Sequence, residues 1–332
     1  ASCAVFAAWV YAVQFPVQSL NQEEFTSTAV TDYRRRLLRE SLGHGDRRAR
    51  WLAHDELPND VVLATIHAED KRFTSHPGID PLAIVRSAYY NLRRKRLVTG
   101  ASTLTQQTVK LVMPRARRDL KAKAMEGIWA LRLEASMGKD EILEQYLNRA
   151  PYGHQRFGVE AAARLYFGKG ARELSLAQAT LIAGLPQAPT AHDPYRNLKG
   201  ALARQRTLLG QMRDRGAINE ATYQRAVTEE IVLAPRRGTF IAPHFAEEVL
   251  RRHGTGGKAE LTTTLRLEVQ RTVEGIVAAQ LEKVEDRNVS QASVVVLDNT
   301  DSTVIAWIGS AGYFEKESLG ANDGVLARRQ PG

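Results

Sequence analysis

Glu69-Asp-Lys-Arg-Phe-Thr-Ser-His76-Pro-Gly78 reads as a helix end running into a turn, and Gly100-Ala-Ser-Thr-Leu-Thr-Gln-Gln107 as a turn entering a helix. Each gathers ionisable or polar groups between turn-forming residues. A second carboxylate, Glu126, follows inside a basic helix. A carboxylate, a polar clamp and a cationic helix together suggest glycosyl transfer from an anionic leaving group.

Outward from these stretches, residues 60–230 read as almost wholly helical. Apolar residues recur at helical spacing over 61–69. Asp80-Pro81 opens a helix, with Asp as N-cap and Pro in first position, that runs to residue 94 and carries Leu82, Val85 and Tyr89 on one side. The Gly100 turn leads into a helix ending near residue 112. Over 119–137, Leu120, Ala124, Ile128, Leu131 and Ala135 form one stripe. Ile142, Leu143, Tyr146 and Leu147 do the same over 139–148. Ser175-Leu-Ala-Gln178 is a capping-box signature before an apolar run that Pro186 and Pro189 stop. Helices at 201–215 and 220–230 complete the block.

The flanks differ. Short strands are expected around 28–33 and 49–52. Pro235, Gly238, Pro243 and His253-Gly-Thr-Gly-Gly257 read as a linker over 233–260. A strand at 261–265, a helix at 267–284 and a β-hairpin around Asp298-Asn-Thr-Asp301 then begin a second domain. At the other end, residues 1–16 open with fifteen uncharged residues. That is shorter than the roughly 20 a spanning helix needs. It reads as the outer end of a transmembrane anchor, with 17–60 as a juxtamembrane segment; a cut signal peptide or a buried helix are the alternatives.

The 332 residues suit one large or two ordinary domains. Lys and Arg number 46 against 37 Asp and Glu, a formal net charge of +9. This favours an anionic partner: nucleic acid, acidic lipid or a phosphorylated substrate. One cysteine, Cys3, rules out an intrachain disulfide and a four-cysteine zinc site.

Apolar neighbours would raise the Glu69 pKa and suit it to general-base work; otherwise it is a surface residue in a charged run with Asp70, Lys71 and Arg72. His67, Glu69 and His76 form no zinc motif, since neither Pro-Cys-x-x-Cys nor His-Glu-x-x-His is present. Ser102, Thr103, Gln106 and Gln107 sit where free helix N–H groups would bind phosphate. The alternative is ordinary capping by Ser102 or Thr103, with Thr105 and Gln106 as surface polarity. Arg115, Arg117, Arg118, Lys121 and Lys123 lead to Glu126 and would hold a diphosphate, or else form a solvated helix with an internal ion pair. Arg93-Arg-Lys-Arg96 follows Tyr89 and Tyr90 and suits nucleic acid or an anionic membrane, without a nucleic-acid motif beside it. Ser136-Met-Gly-Lys139 matches the Ser-x-x-Lys nucleophile pattern by chance, since no Lys-Thr-Gly follows.

Together these motifs resemble the peptidoglycan glycosyltransferases of family 51, found in class A penicillin-binding proteins and monofunctional transglycosylases, over residues 28–232. Glu69-x-x-x-Phe73-x-x-His76-x-Gly78 is similar to the first family motif. Gly100-x-Ser102-Thr103-x-x-Gln106-Gln107, with Lys110 after it, is similar to the second, and Lys123-x-x-Glu126 to the third. Lys139-x-x-Ile142-Leu143-Glu144-x-Tyr146-Leu147-Asn148 resembles the fourth. Tyr166-Phe-Gly-Lys169 and Ala183-Gly-Leu-Pro-Gln-Ala-Pro189 are similar to later segments. The third motif usually begins Arg-Lys, and here Ala122 stands at the Arg position, with Lys121 beside it and Arg118 one turn back. Asn148-Arg-Ala-Pro-Tyr-Gly153 looks like the 1C branch of the penicillin-binding proteins, and residues 261–332 resemble the opening of its transpeptidase domain.

The resemblance implies a mainly α chain: a lysozyme-like glycosyltransferase domain over 61–232 with an N-terminal transmembrane remnant, then an incomplete α/β transpeptidase-domain start. In that branch the segment similar to Arg328-Arg-Gln-Pro-Gly332 runs straight into Ser-x-x-Lys, so transpeptidation is expected to be absent. The implied reaction polymerises lipid II into β-1,4 glycan strands with release of undecaprenyl diphosphate. Glu69 would be the base and Glu126 would organise the leaving-group site. Phe73, His76, Gly100, Ser102, Thr103, Gln106, Gln107, Lys110 and Lys123 would bind substrate. No organic cofactor is implied; a divalent cation, Mg²⁺ or Mn²⁺, suits a diphosphate leaving group. The implied partners are lipid II, the growing glycan strand, inner-membrane lipids and other cell-wall synthesis proteins, with no nucleic acid. The implied location is the periplasmic face of a bacterial inner membrane. The alternatives are a lysozyme-like glycan hydrolase, in which two carboxylates act as acid and base, and an inactive membrane scaffold.

Overall fold

Side chains that satisfy the first turn decide where several helices begin. The computed structural model describes residues 15–16, 20–21, 26–41, 48–94, 102–113, 120–235, 240–254, 260–315 and 319–328. Its helices are α1 (Asn59–Glu69), α2 (Pro81–Arg94), α3 (Leu104–Val112), α4 (Leu120–Ser136), α5 (Lys139–Arg149), α6 (Val159–Phe167), α7 (Leu176–Ala183), α8 (Leu198–Asp214), α9 (Glu220–Thr228), α10 (Pro243–His253) and α11 (Leu267–Lys283). Short strands are β1 (Ala29–Thr31), β2 (Leu37–Glu40), β3 (Arg48–Ala49), β4 (Arg156–Phe157), β5 (Glu260–Thr262), β6 (Val294–Leu297) and β7 (Val304–Ile308). Asp80 accepts from the Ala83 amide at the start of α2. Thr103 with Gln106, and Ser175 with Gln178, close reciprocal capping boxes on α3 and α7. Asn197 and Asn219 cap α8 and α9.

The chain divides into two compact units, one of Ala1–Phe25 and Arg47–Arg236, the other of Thr26–Asp46 and Arg237–Gly332. The first unit is helical. In it α1 packs on α7 and α8, and α3 packs on α4 and α5. The α5 stripe of Ile142, Leu143, Tyr146 and Leu147 is buried, as its spacing predicts. The α4 stripe is not. Ala124 and Ala135 are exposed, Ile128 and Leu131 half-buried, and the side buried instead is Gly127, Ala130 and Leu133. A Cβ at Gly127 would meet Ile79 Cδ1 at 3.1 Å, so α4 turns its narrowest flank inward rather than its most apolar one.

Phe15, expected in a membrane anchor, is buried in protein and meets the Trp129 ring edge-on at 5.8 Å. Leu20 is buried in the same core. The rest of the expected anchor, residues 1–14, lies outside the described residues. Among those described, no helix is long and apolar enough to cross a membrane.

The second unit joins distant parts of the chain. β1 pairs antiparallel with β2 and parallel with β5, with Val30 opposite Leu261. Val30, Leu38, Phe245, Leu265 and Trp307 share its core. The stretch 17–60 is therefore not one juxtamembrane segment, because residues 26–41 fold with the later unit. Nor is 233–260 simply a linker. Pro243 begins α10 and Gly254, at φ +74°, ends it, so these residues punctuate a helix. β6 and β7 form the expected antiparallel hairpin.

Candidate active site

Glu69 is the last residue of α1, where the negative end of the helix dipole does not favour a carboxylate. Gln107 Nε2, on α3, donates to Glu69 Oε2 at 2.8 Å. The other oxygen, Oε1, is buried and has no hydrogen-bond partner among the described residues. Burial pushes the Glu69 carboxyl above its usual range; the Gln107 hydrogen bond and the Arg204 charge pull it back, and Asp70 adds to the rise. A desolvated carboxylate with one fixed oxygen is suited to accepting a proton.

The neighbouring residues build the scaffold behind it. Asp70 is buried and accepts from His76 Nε2 at 2.9 and 3.1 Å and from the Leu104 amide at 2.9 Å. The Gly78 amide donates to His76 Nδ1 at 3.2 Å, so the ring carries its proton on Nε2. Gly78 sits at φ +95°, and a Cβ there would lie 2.7 Å from the Ala130 carbonyl oxygen. Phe73 is buried, with Lys139 Nζ 4.5 Å from its ring centre. Lys139 also donates to the His76 carbonyl at 2.7 Å and to Glu134 at 2.6 Å, where Thr105 Oγ1 donates too. Phe73 and His76, expected as substrate contacts, are thus enclosed in protein and shape the site from behind.

The start of α3 keeps the capping by Thr103 that one reading of its sequence expected and departs from the rest of both readings. Thr103 Oγ1 accepts from the Gln106 amide and donates to the Gly78 carbonyl, and the Thr103 amide donates to Gln106 Oε1. With the Leu104 amide held by Asp70, three amides that a phosphate would need are already bonded. Thr105 and Gln106 are buried rather than surface polarity. Ser102 remains beside the cationic helix, its Oγ accepting from Lys123 Nζ at 2.9 Å. Lys123 is also paired with Glu126, three residues on along α4. The Lys123 side chain is 48% exposed and that of Glu126 16%, so the cation is open to a ligand while the carboxylate anchors it. The Ser102–Gln107 stretch therefore touches a base at one end and a cation–carboxylate pair at the other.

Lys110 and Lys121 are exposed, whereas Gly100, Arg115, Arg117 and Arg118 lie outside the described residues. His67 Nδ1 bonds the Leu63 carbonyl of its own helix at 2.9 Å. Ser136 Oγ donates back to the Arg132 and Leu133 carbonyls, which leaves its match to a nucleophile motif without chemistry. Among the described residues no three His, Cys, Asp or Glu side chains converge, and Glu126, on the cationic helix, already pairs with Lys123.

Arg204, on α8, was not marked by any motif. Its charge reaches Glu69, and its Nη2 donates to Gln187 Oε1 at 2.8 Å. Burial and the charges of Arg215, Arg86 and Arg204 lower the Lys71 pKa. These cations come from α2, α8 and the residue after it, and the net charge was their only sign in the sequence.

A family model described as Transglycosylase matches residues 35–213. The chain belongs to the transglycosylase family. Penicillin-binding protein 1C of Escherichia coli (strain K12) is 34% identical to this transglycosylase over 270 residues, covering 81% of this chain and 34% of that protein. Penicillin-binding protein 1A of Aquifex aeolicus (strain VF5) is 34% identical over 241 residues, covering 70% of this chain and 33% of that protein. The crystal structure of penicillin-binding protein 1A from Haemophilus influenzae aligns with a TM-score of 0.44 at 22% identity, over 84% of this chain and 32% of that one. This transglycosylase spans about a third of the length of the curated relatives it matches.

Proposed function

We propose that this chain is a peptidoglycan glycosyltransferase that polymerises lipid II into β-1,4 glycan strands and releases undecaprenyl diphosphate. In this reading the helical unit is lysozyme-like and works on the outer face of a bacterial inner membrane. The observation that carries it is the desolvated Glu69 set across one short segment from the Lys123–Glu126 pair. Glu69 takes the proton of the acceptor sugar's 4-hydroxyl. The oxygen forms a bond to the anomeric carbon of the growing chain from the face opposite the diphosphate. The bond from that carbon to the diphosphate oxygen breaks, and the electron pair leaves with the diphosphate. The departing group needs charge stabilisation more than a proton, which Lys123 and the exposed Lys110 and Lys121 supply. Glu126 keeps the Lys123 ammonium in place. Labelled lipid II incubated with the chain and run on a gel tests the reading: a ladder of glycan strands is expected, and its absence from folded protein overturns it.

Lys123→Ala is expected to lower kcat/KM about 10- to 100-fold, the effect of losing one charge-assisted contact to a diphosphate. Initial rates against lipid II concentration measure it. An unchanged value would remove Lys123 from the site.

Membrane contact is proposed through α2. Leu82, Val85 and Tyr89 are 61%, 67% and 58% exposed on it, and Arg86 and Arg93 are exposed beside them. Apolar side chains flanked by cations suit the surface of an anionic bilayer. The double substitution Leu82→Asp and Val85→Asp is expected to weaken binding to phosphatidylglycerol vesicles by about tenfold or more. Vesicle co-sedimentation measures this, and undiminished binding would move the contact elsewhere.

A further inference from the structure

Four buried polar atoms belong to Glu69 and to residues linked to it, Thr65 by its place on the helix and Tyr146 and Tyr152 by the reach of the Glu69 charge. Glu69 Oε1, Thr65 Oγ1, Tyr146 Oη and Tyr152 Oη are each enclosed and have no hydrogen-bond partner among the described residues. Thr65 lies one turn before Glu69 on α1, hence on the same face. Tyr146 comes from α5 and Tyr152 from just beyond its end, and both rings are 1% exposed. The Glu69 charge reaches both phenols and, after burial, adds to the rise in their pKa values. They therefore stay protonated and able to donate. The Tyr152 backbone is itself held, its carbonyl accepting from Tyr166 Oη at 2.8 Å.

Buried polar groups are nearly always paired, and several unpaired ones in one place are the usual surroundings of an enclosed water with about three hydrogen bonds. The donor and acceptor inventory closes on one such molecule. Two phenols donate to it, and it donates to Glu69 Oε1 and Thr65 Oγ1. We propose that Tyr146 and Tyr152 are positioning residues for Glu69, holding one enclosed water against Oε1 so that the carboxylate stays ionised and correctly turned. This rests on the reading of Glu69 as the general base. Arg204 from α8, Asp70 at the end of α1 and the neutral donor Gln107 from α3 also face Glu69; Gln107 is spent on Oε2, and Arg204 Nε is itself buried without a partner among the described residues.

The test is the pH dependence of kcat/KM with labelled lipid II for the full chain and for Tyr146→Phe, Tyr152→Phe and the double variant. Removing donors to the charged form raises the base's pKa. The acidic limb is expected to move up by about one pH unit in the double variant, with the rate recovering at higher pH. A loss equal at every pH overturns the proposal. So does an unmoved profile with a raised Tm, the result of deleting hydroxyls that bond nothing. Infrared difference spectra of each protein against its Glu69→Gln counterpart follow the carboxyl stretch through a pH titration without turnover. A midpoint raised in the phenylalanine variants supports the water site, and an unmoved midpoint overturns it. If wild type makes no glycan, or Glu69→Gln makes it freely, the glycosyltransferase reading fails while the infrared midpoint still decides the tyrosines. A variant that does not fold, by circular dichroism, is replaced by Thr65→Val, for which the same upward shift is expected at smaller size.

Discussion

Glu69→Gln is expected to lower lipid II polymerisation about 10²- to 10⁴-fold, the range for removal of a positioned general base, while leaving the fold intact. The amide is nearly isosteric, and its oxygen still accepts from Gln107 Nε2, which now bonds Glu69 Oε2 at 2.8 Å. What disappears is the charge. The direction of the effect on stability follows from the raised pKa. Burial holds the Glu69 carboxyl above its unfolded value, so its contribution to stability is complete below the ordinary carboxylate range and is lost as pH rises through the raised folded value. At neutral pH wild type therefore carries a desolvated charge that the glutamine variant lacks. The Tm of Glu69→Gln is expected to equal or exceed that of wild type. Activity follows the same titration in the other sense, climbing with pH as the base ionises. A glycan ladder of near-normal intensity from the variant would end the assignment. A lowered Tm would show that the carboxylate serves the fold.

Asp70→Ala is expected to cost about 2–5 kcal/mol, because it strands two buried donors, the His76 Nε2–H and the Leu104 N–H. For a domain of this size that is roughly a 10 °C fall in Tm. The same change should slow polymerisation more than the lost stability explains. Leu104 begins α3, and α3 carries Gln107, which fixes Glu69. Removing the anchor of the helix loosens the partner of the base. Asp70→Asn keeps the volume and one acceptor, and a smaller loss on both measures is expected. Thermal denaturation and the polymerisation rate, read on the same samples, check this. An unchanged Tm in Asp70→Ala would mean that the Asp70–His76–Leu104 network holds nothing.

Asp70 also marks how far the sequence could be read. In the run Glu69-Asp-Lys-Arg the two carboxylates look alike. Only the way the chain returns places the α3 amide on one of them and leaves an oxygen of the other unpaired. His76 and Phe73 stand in a family-like motif and were expected to touch substrate, yet they are enclosed by Asp70, Gly78 and Lys139. A motif records which residues are needed, not whether the need is contact or support. Arg204, Tyr146 and Tyr152 join the site from elements distant in the chain, and no local pattern marked them as neighbours of Glu69.

The sequence by itself determined the features whose interactions are short in range along the chain. These are the capping box at Ser175, the cap at Thr103, the Asp80-Pro81 helix start, the buried stripe of α5, the β6–β7 hairpin and the Lys123–Glu126 pair. Such contacts cost little chain entropy and leave a periodic or capping signature. Tertiary structure alone decided which flank of α4 faces inward, that β1 pairs with β5, that residues 26–41 fold with the second unit, and which oxygen of Glu69 is left buried and unpaired. Those outcomes depend on which distant surfaces fit at close approach. A Cβ at Gly78 would already be too near the Ala130 carbonyl and one at Gly127 would press on Ile79, and no short-range pattern in the chain encodes that fit.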